Sequence, residues 1–271
     1  MRFASIGSGS DGNGTLIANG CEGTVLLDCG FSSRETLARL ADRGLTAADL
    51  AGILVTHEHS DHIKGVARLA NRFRLPVYSS WGSFSSRLSG ELDEKLLQVI
   101  EPGTGFQLAG MRIEPVPVPH DAREPCQYVF ATADARLGVL TDAGSINRRM
   151  LTSYQNCDAL MLECNHDLRM LAEGPYPAQL KRRVGGALGH LNNGQAAELL
   201  RQVGHSALQH LIVTHISRTN NTPELAVQAL LDSQACVADI IQVADQRRGL
   251  DWCEIRPRNK AAPAGQLALE F

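Results

Sequence analysis

The chain has no C-x-x-C pair, although it holds seven cysteines, at positions 21, 29, 126, 157, 164, 236 and 253. An odd number without paired spacing argues against a disulfide framework, and a reducing, cytoplasmic setting is expected. No uninterrupted apolar run approaches the roughly 18–20 residues that span a bilayer, so no membrane segment is expected. Met1-Arg2-Phe3 leads straight into a strand-like pattern rather than the charged-then-apolar order of a secretory leader. The net charge of −3 lacks the excess of one sign that would announce a nucleic-acid or membrane partner, although a local basic patch would suffice for the former. Solenoid-type internal repeats are absent. At 271 residues and 44% hydrophobic, the chain carries enough apolar material for one large domain or two small ones.

What the chain does have is concentrated at Ile53 to Gly65, ILVTHEHSDHIKG. The apolar run Gly52 to Val55 reads as a buried strand. It ends in a cluster of His57, His59, Asp61 and His62, a density of metal-ligating side chains that a structural loop rarely needs. His57 and His59 are two apart and share one side of an extended segment. Asp61 and His62 fall at the start of a helix expected over His62 to Phe73, so the first pair suits one ion and the second pair a neighbouring ion. His57-Glu58 is not the start of an H-E-x-x-H zincin helix, because the fourth residue on is Asp61 and the cluster sits at a strand end.

Other polar residues recur at the ends of expected strands. Asp28 ends the strand from Thr24, His120 follows the strand Met111 to Val118 between two nearby prolines, Asp142 follows the strand from Leu137, and His215 ends the strand from Leu208. Gly7 to Gly14 holds four glycines in eight residues and reads either as a hairpin turn or as a backbone phosphate cradle. Helices are expected over Arg34 to Asp42, Trp81 to Leu88, Ile146 to Tyr154, Gln195 to Val203 and Pro223 to Leu231, and strands over Leu96 to Ile100 and Phe106 to Leu108 in a second half-sheet. Met170 to Arg183 is broken by Gly174-Pro175 and Pro177; its Lys181-Arg182-Arg183 is a solvated face or a phosphate-backbone contact. Strands first, then helix–strand alternation, fit two mixed sheets packed face to face with helices outside, an αββα sandwich over residues 1–256, followed by a mobile tail at 257–271.

The string His57-x-His59-x-Asp61-His62 after an apolar strand, with Asp28, His120, Asp142 and His215 in order, resembles the signature of the metallo-β-lactamase-fold hydrolases. The resemblance implies that His57, His59 and His120 bind one divalent ion, that Asp61, His62 and His215 bind a second, that Asp142 bridges them, and that Asp28 supports the loop from behind. Mixed nitrogen and oxygen ligands select zinc only weakly; zinc is the default and manganese the close second. Such an ion pair activates a bridging water and stabilises an in-line displacement, with Asp61 orienting or deprotonating the nucleophile.

Three strings, SIGSGSDGNGTLI at 5–17, ECNHD at 163–167 and THISRTNN at 214–221, resemble the YycJ (WalJ) branch, described as DNA exonucleases. GHLNNGQAAEL at 189–199 resembles the ribonuclease Z string whose His contacts the scissile phosphate, which implies a catalytic role for His190. The chain lacks an inserted β-CASP domain and a long tRNA-gripping arm. The resemblance therefore implies a DNA exonuclease acting on single-stranded or recessed ends, with a small-molecule or cyclic-nucleotide phosphodiesterase as the alternative. His166 is either a further substrate contact or a loop-capping residue, and Asn220 and Asn221 are expected to position His215. The oligomeric state stays open, a homodimer being one option. The nuclease reading expects Arg72, Arg74, Lys181, Arg182, Arg183, Arg218, Arg247 and Arg248 to converge near the metals.

Overall fold

The computed structural model describes residues 1–233 and 237–257. Cys236 and all of the expected tail except Pro257 lie outside the described residues. Six strands come first: β1 (Arg2–Gly7), β2 (Gly14–Ala18), β3 (Thr24–Leu27), β4 (Leu50–Leu54), β5 (Val77–Ser80) and β6 (Leu97–Ile100). Seven more follow: β7 (Phe106–Leu108), β8 (Met111–Pro117), β9 (Cys126–Ala131), β10 (Arg136–Leu140), β11 (Ala159–Glu163), β12 (His210–Thr214) and β13 (Ile241–Val243). The last, β14 (Leu250–Glu254), returns to the first group. Among the described residues these make two seven-stranded sheets, in the orders β14-β1-β2-β3-β4-β5-β6 and β13-β12-β11-β10-β9-β8-β7.

Three apolar clusters define the layers. Val25, Leu27, Leu54, Tyr128, Phe130, Leu137, Val139 and Ile212 pack between the sheets. Their strand neighbours point the other way: Leu26 and Ile53 meet Leu40, Val66 and Leu69 of the helices on one outer face. Leu160, Leu162, Leu211 and Val213 meet Leu199, Leu200, Ala226 and Leu230 on the other. Strands covered on both faces read as continuous apolar runs, which is why Thr24–Leu27 and Ala159–Glu163 are buried throughout. The layering is the expected αββα sandwich.

The helices are α1 (Ser33–Ala41), α2 (Ser60–Ile63), α3 (Val66–Phe73), α4 (Trp81–Ser83), α5 (Arg148–Ser153), α6 (Leu168–Glu173), α7 (Ala178–Val184), α8 (Asn193–Val203) and α9 (Pro223–Ser233). Several elements differ from their sequence-based expectation. The helix expected over His62 to Phe73 is two helices, broken at Gly65, where a Cβ would lie 2.3 Å from the Phe31 carbonyl oxygen. The turn after α4 is a π-helix over Phe84–Leu88. β6 belongs to the edge of the first sheet, not to the second half-sheet, because it pairs in parallel with β5. The stretch around Lys181 is helical on both sides of its prolines, as α6 and α7.

Strand direction positions the site. β3 to β6 run parallel, as do β10 to β13, and β8 runs with β10 through two antiparallel pairings with β9. The carboxyl ends of β3, β4, β8, β10, β11 and β12 therefore open on one edge, where α/β sheets gather ligand-binding loops.

Candidate active site

That edge brings together every sequence-nominated metal ligand. His57, His59 and His120 each offer one nitrogen within 4.8 Å of the others, as do Asp61, His62 and His215 with an oxygen and two nitrogens. In the first group His59 Nδ1 lies 3.0 Å from His57 Nε2 and 3.2 Å from His120 Nε2. In the second, Asp61 Oδ2 lies 3.5 Å from His62 Nε2 and 3.7 Å from His215 Nε2. Asp142 stands between them, with Oδ2 3.1 Å from His62 Nε2 and Oδ1 4.0 Å from His120 Nε2.

Asp28 and His215 turn the chain at the ends of β3 and β12 with φ of +61° and +51°. Non-glycine residues in this region carry strain of order 1–3 kcal/mol, retained only when the surroundings impose it. Here the imposed turns aim both side chains into the edge. Asp28 is buried beneath the loop: its Oδ1 accepts the Thr56 amide at 2.9 Å, and its Oδ2 lies 2.7 Å from His62 Nδ1. It thereby fixes which His62 nitrogen faces the cleft. His120 is fixed likewise, its Nδ1 2.8 Å from the Gly189 carbonyl, and His215 Nδ1 lies 2.8 Å from the Thr141 carbonyl.

The electrostatics are those of a cation cage. Burial opposes charge on His62, but the carboxylates of Asp142, Asp28 and Asp61 outweigh it and raise its pKa well above the usual imidazole range. The same contest, won by Asp142, lifts His215 to about 9. Burial would raise Asp61, yet His62 and His215 pull it down to about 2. Asp142 is likewise held well below the carboxylate range by His215 and His62 against its burial. Burial, with His62 adding to it, pushes His57 well down, and burial takes His120 to about 4. The donor set fits divalent metal: three facing ring nitrogens cannot satisfy one another in any neutral tautomer set, and buried Asp142 Oδ2 has no well-formed hydrogen bond.

His190 lies beside this cluster on the loop before α8, its Nδ1 2.7 Å from Glu163 Oε1. Glu163 was not singled out in the sequence, although it stands, like Asp28 and His215, at the end of a buried strand, and that position was the available signal. Its Oε2 accepts the amides of Ala143 and Leu191 at 2.9 and 3.2 Å. Burial, then the neighbouring Asp142, raises the Glu163 pKa well above its usual range, while burial lowers His190 to about 4. Asn13 was also missed: its Nδ2 lies 3.3 Å from Asp61 Oδ2 and 3.1 Å from His62 Nε2. Four amides of the Gly-rich loop, at Gly9, Asp11, Gly12 and Asn13, donate within the protein, while Ser10 lines the cleft.

The remaining nominees sit further out. His166 is wholly buried and neither ring nitrogen has a partner among the described residues; Asn193 donates to its carbonyl. Asn220 bonds Ser217 and accepts from Asp167 through its carbonyl, whereas the side chain that bonds the His215 carbonyl is Asn165, at 3.1 Å. Asn221 bonds Asn193 and the Cys164 carbonyl. The cleft over the metal-ligating cluster measures about 490 Å³ and is walled by Glu58, Asp121, Arg87, Arg183 and His190 among others. Of the eight cations expected to converge there, Arg183 lines it, its guanidinium 2.5 Å from Asp121. Arg74 and Arg218 are spent on Asp93 and Asp11, and Lys181 donates to the Ala172 carbonyl.

Histidine and aspartate clusters suited to divalent metal, set at the strand-end edge of an αββα sandwich, define a metal-dependent hydrolase. The chain matches the β-lactamase superfamily domain over residues 23–216 and belongs to that superfamily. It is 36% identical over 229 residues to exodeoxyribonuclease YycJ of Bacillus anthracis, covering 83% of this chain and 86% of that one. A ribonuclease Z of Methanopyrus kandleri is 29% identical over 96 residues, a third (33%) of each chain. The metallo-β-lactamase-fold protein YhfI of Bacillus subtilis superimposes with a TM-score of 0.71 at 16% identity, over 90% of this chain and 96% of that one, which speaks to the fold alone.

Proposed function

We propose that this protein is a dinuclear-metal phosphodiester hydrolase that removes nucleotides from single-stranded or recessed DNA ends. The observation that carries the reading is the pair of ligand triads on either side of Asp142 with His190 beside them; the similarity to an exodeoxyribonuclease supports the substrate. His57, His59 and His120 would hold one divalent ion, and Asp61, His62 and His215 the other, with Asp142 shared. Bound there, the ions lower the pKa of water and neutralise charge on a phosphate oxygen. Zinc and manganese both suit these ligands.

The chain's own groups do the rest. Asp61, kept ionised, would orient the attacking water. Glu163 fixes the His190 ring through Nδ1, leaving Nε2 for the phosphate or the leaving oxygen. Arg183, steadied by Asp121, offers charge to a second phosphate. Asp28 and Asn13 hold His62 and Asp61 from behind.

A small phosphodiester substrate is the second reading, and the sparse cationic lining of the cleft favours it. End-labelled single-stranded DNA and bis-p-nitrophenyl phosphate, each incubated with protein reloaded with Mn²⁺ or Zn²⁺, separate the two. Stepwise shortening of the DNA, lost in Asp61→Ala, is expected. Cleavage of the ester with intact DNA would move the protein to the small-phosphodiesterase class.

A further inference from the structure

Trp81 is 59% exposed, the one aromatic among the large apolar side chains that the described residues leave in solvent. The chain has only two tryptophans, and burial of so large a ring is the norm. Trp81 opens α4 at the end of β5, and the π-turn that follows is seated by Phe84 and Leu88, both buried. This seating displays Ser85, Ser86 and Arg87 outward, and Ser86 and Arg87 line the cleft. The Arg87 guanidinium makes no ion pair or hydrogen bond among the described residues, in contrast to Arg183 on the same cleft.

The segment is fastened to the metal-ligating loop. Ser83 Oγ donates to Glu58 Oε2 at 3.1 Å, and Glu58 Oε1 accepts the Arg123 amide at 2.8 Å. Glu58 stands between His57 and His59 in the chain. The Gly82 amide donates to Glu124 Oε2 at 2.9 Å, and Ser80 Oγ to the Glu124 carbonyl at 2.9 Å. A Cβ at Gly82 would lie 2.6 Å from Glu124 Cβ, so only glycine permits this close seating. Trp81 itself rests against Phe84, ring centroids 5.5 Å apart. An exposed indole and an unspent guanidinium carried on one fastened segment, the cation on the cleft wall, are the combination that grips single strands, an aromatic face for a base and a cation for the backbone.

We infer that the Trp81–Leu88 segment is a single-strand platform: Trp81 stacks one base of the substrate strand and Arg87, on the cleft wall, meets a backbone phosphate. The inference rests on the nuclease reading above and adds the residues that would make the site prefer an unpaired strand. With Arg87 and Arg183 as the cleft's cations, few phosphates are neutralised, so grip comes from stacking more than from charge.

The test uses full-length protein carrying Asp61→Ala and equilibrated with Mn²⁺, so that the strand survives, and the fluorescence anisotropy of a labelled oligothymidylate. Trp81→Ala is expected to weaken binding about 10- to 100-fold, Trp81→Phe by no more than about threefold. Arg87→Ala is expected to flatten the slope of log affinity against log salt by about 0.7. Intrinsic fluorescence quenched by the oligonucleotide should survive Trp252→Phe and vanish in Trp81→Phe. A thermal midpoint and Mn²⁺ content matching the parent show that each variant is folded. Unchanged affinity in Trp81→Ala, with DNA still cut by the Asp61 protein, overturns the platform and leaves the nuclease reading standing. A protein that neither binds nor shortens oligonucleotides but hydrolyses the small ester overturns both.

Discussion

Glu163 Oε1 and His190 Nδ1 lie 2.7 Å apart, tying the end of β11 to the loop before α8. Two residues 27 apart in sequence thus form one unit, anchored by the Ala143 and Leu191 amides on the other carboxylate oxygen. His190→Ala is expected to retain the protein's divalent metal content and lose about 10²–10³ in turnover, as loss of a transition-state donor does. Glu163→Gln should lose less, on the order of 10- to 100-fold. Because the pair acts together, the double variant should be no slower than His190→Ala alone. Losses that multiply in a double-mutant cycle would show that the two act separately.

Asp28 supports the metal-ligating loop without facing the cleft. Its two oxygens serve the Thr56 amide, the Thr56 hydroxyl and His62 Nδ1. Asp28→Asn removes the charge that selects the His62 tautomer, and metal affinity should fall about 10- to 100-fold. Competition against a chromophoric chelator measures this; unchanged affinity would reduce Asp28 to a packing residue.

Gly30 is where the loop of Asp61 meets the chain after β3. A Cβ there would lie 1.7 Å from the Asp61 carbonyl oxygen and 2.6 Å from the Asn13 amide nitrogen. Gly30→Ala therefore has to displace Asp61. Thermal denaturation should show a destabilisation of about 1–3 kcal/mol or more, as overpacking does, together with weakened metal binding. A variant with parental stability and metal content would refute the close approach.

Metal and protons compete for the same nitrogens. Without metal, the surrounding carboxylates raise the pKa of His62 well above the usual imidazole range and that of His215 to about 9, which favours their protonated forms at neutral pH. Loading must expel those protons. Calorimetry in buffers of different ionisation enthalpy should record release of about two protons per molecule at pH 7. The sign for stability follows from linkage: a group whose folded pKa is raised stabilises fully below its unfolded value, near 6.5, and loses that contribution as pH climbs through about 9. The metal-free protein should accordingly melt at lower temperature at pH 9 than at pH 6.5. A flat melting profile, with no proton release, would show that His215 is neutral in the absence of metal.

The His/Asp cluster was legible because its chemistry is local or sits at strand ends. His57, His59, Asp61 and His62 lie within six consecutive positions, and Asp28, His120, Asp142 and His215 each follow an apolar run that only a buried strand explains. Continuous apolar runs, with strands first and then helix–strand alternation, also set the αββα layering, since strands covered on both faces leave no polar side. The sequence could not say that β6 and β14 complete the first sheet, because edge pairing depends on partners far along the chain. Nor could it break the helix at Gly65, a matter of room beside Phe31. Glu163, Asn13 and Asn165 lie inside the strings ECNHD and SIGSGSDGNGTLI, but which atoms they hold is decided only where β11, the Gly-rich loop and the His215 turn meet. Charge at the cleft was likewise a tertiary outcome, for arginines that look alike in sequence are spent on Asp93 or Asp11, steadied by Asp121, or left unpaired at Arg87, according to which side chain the fold sets opposite each one.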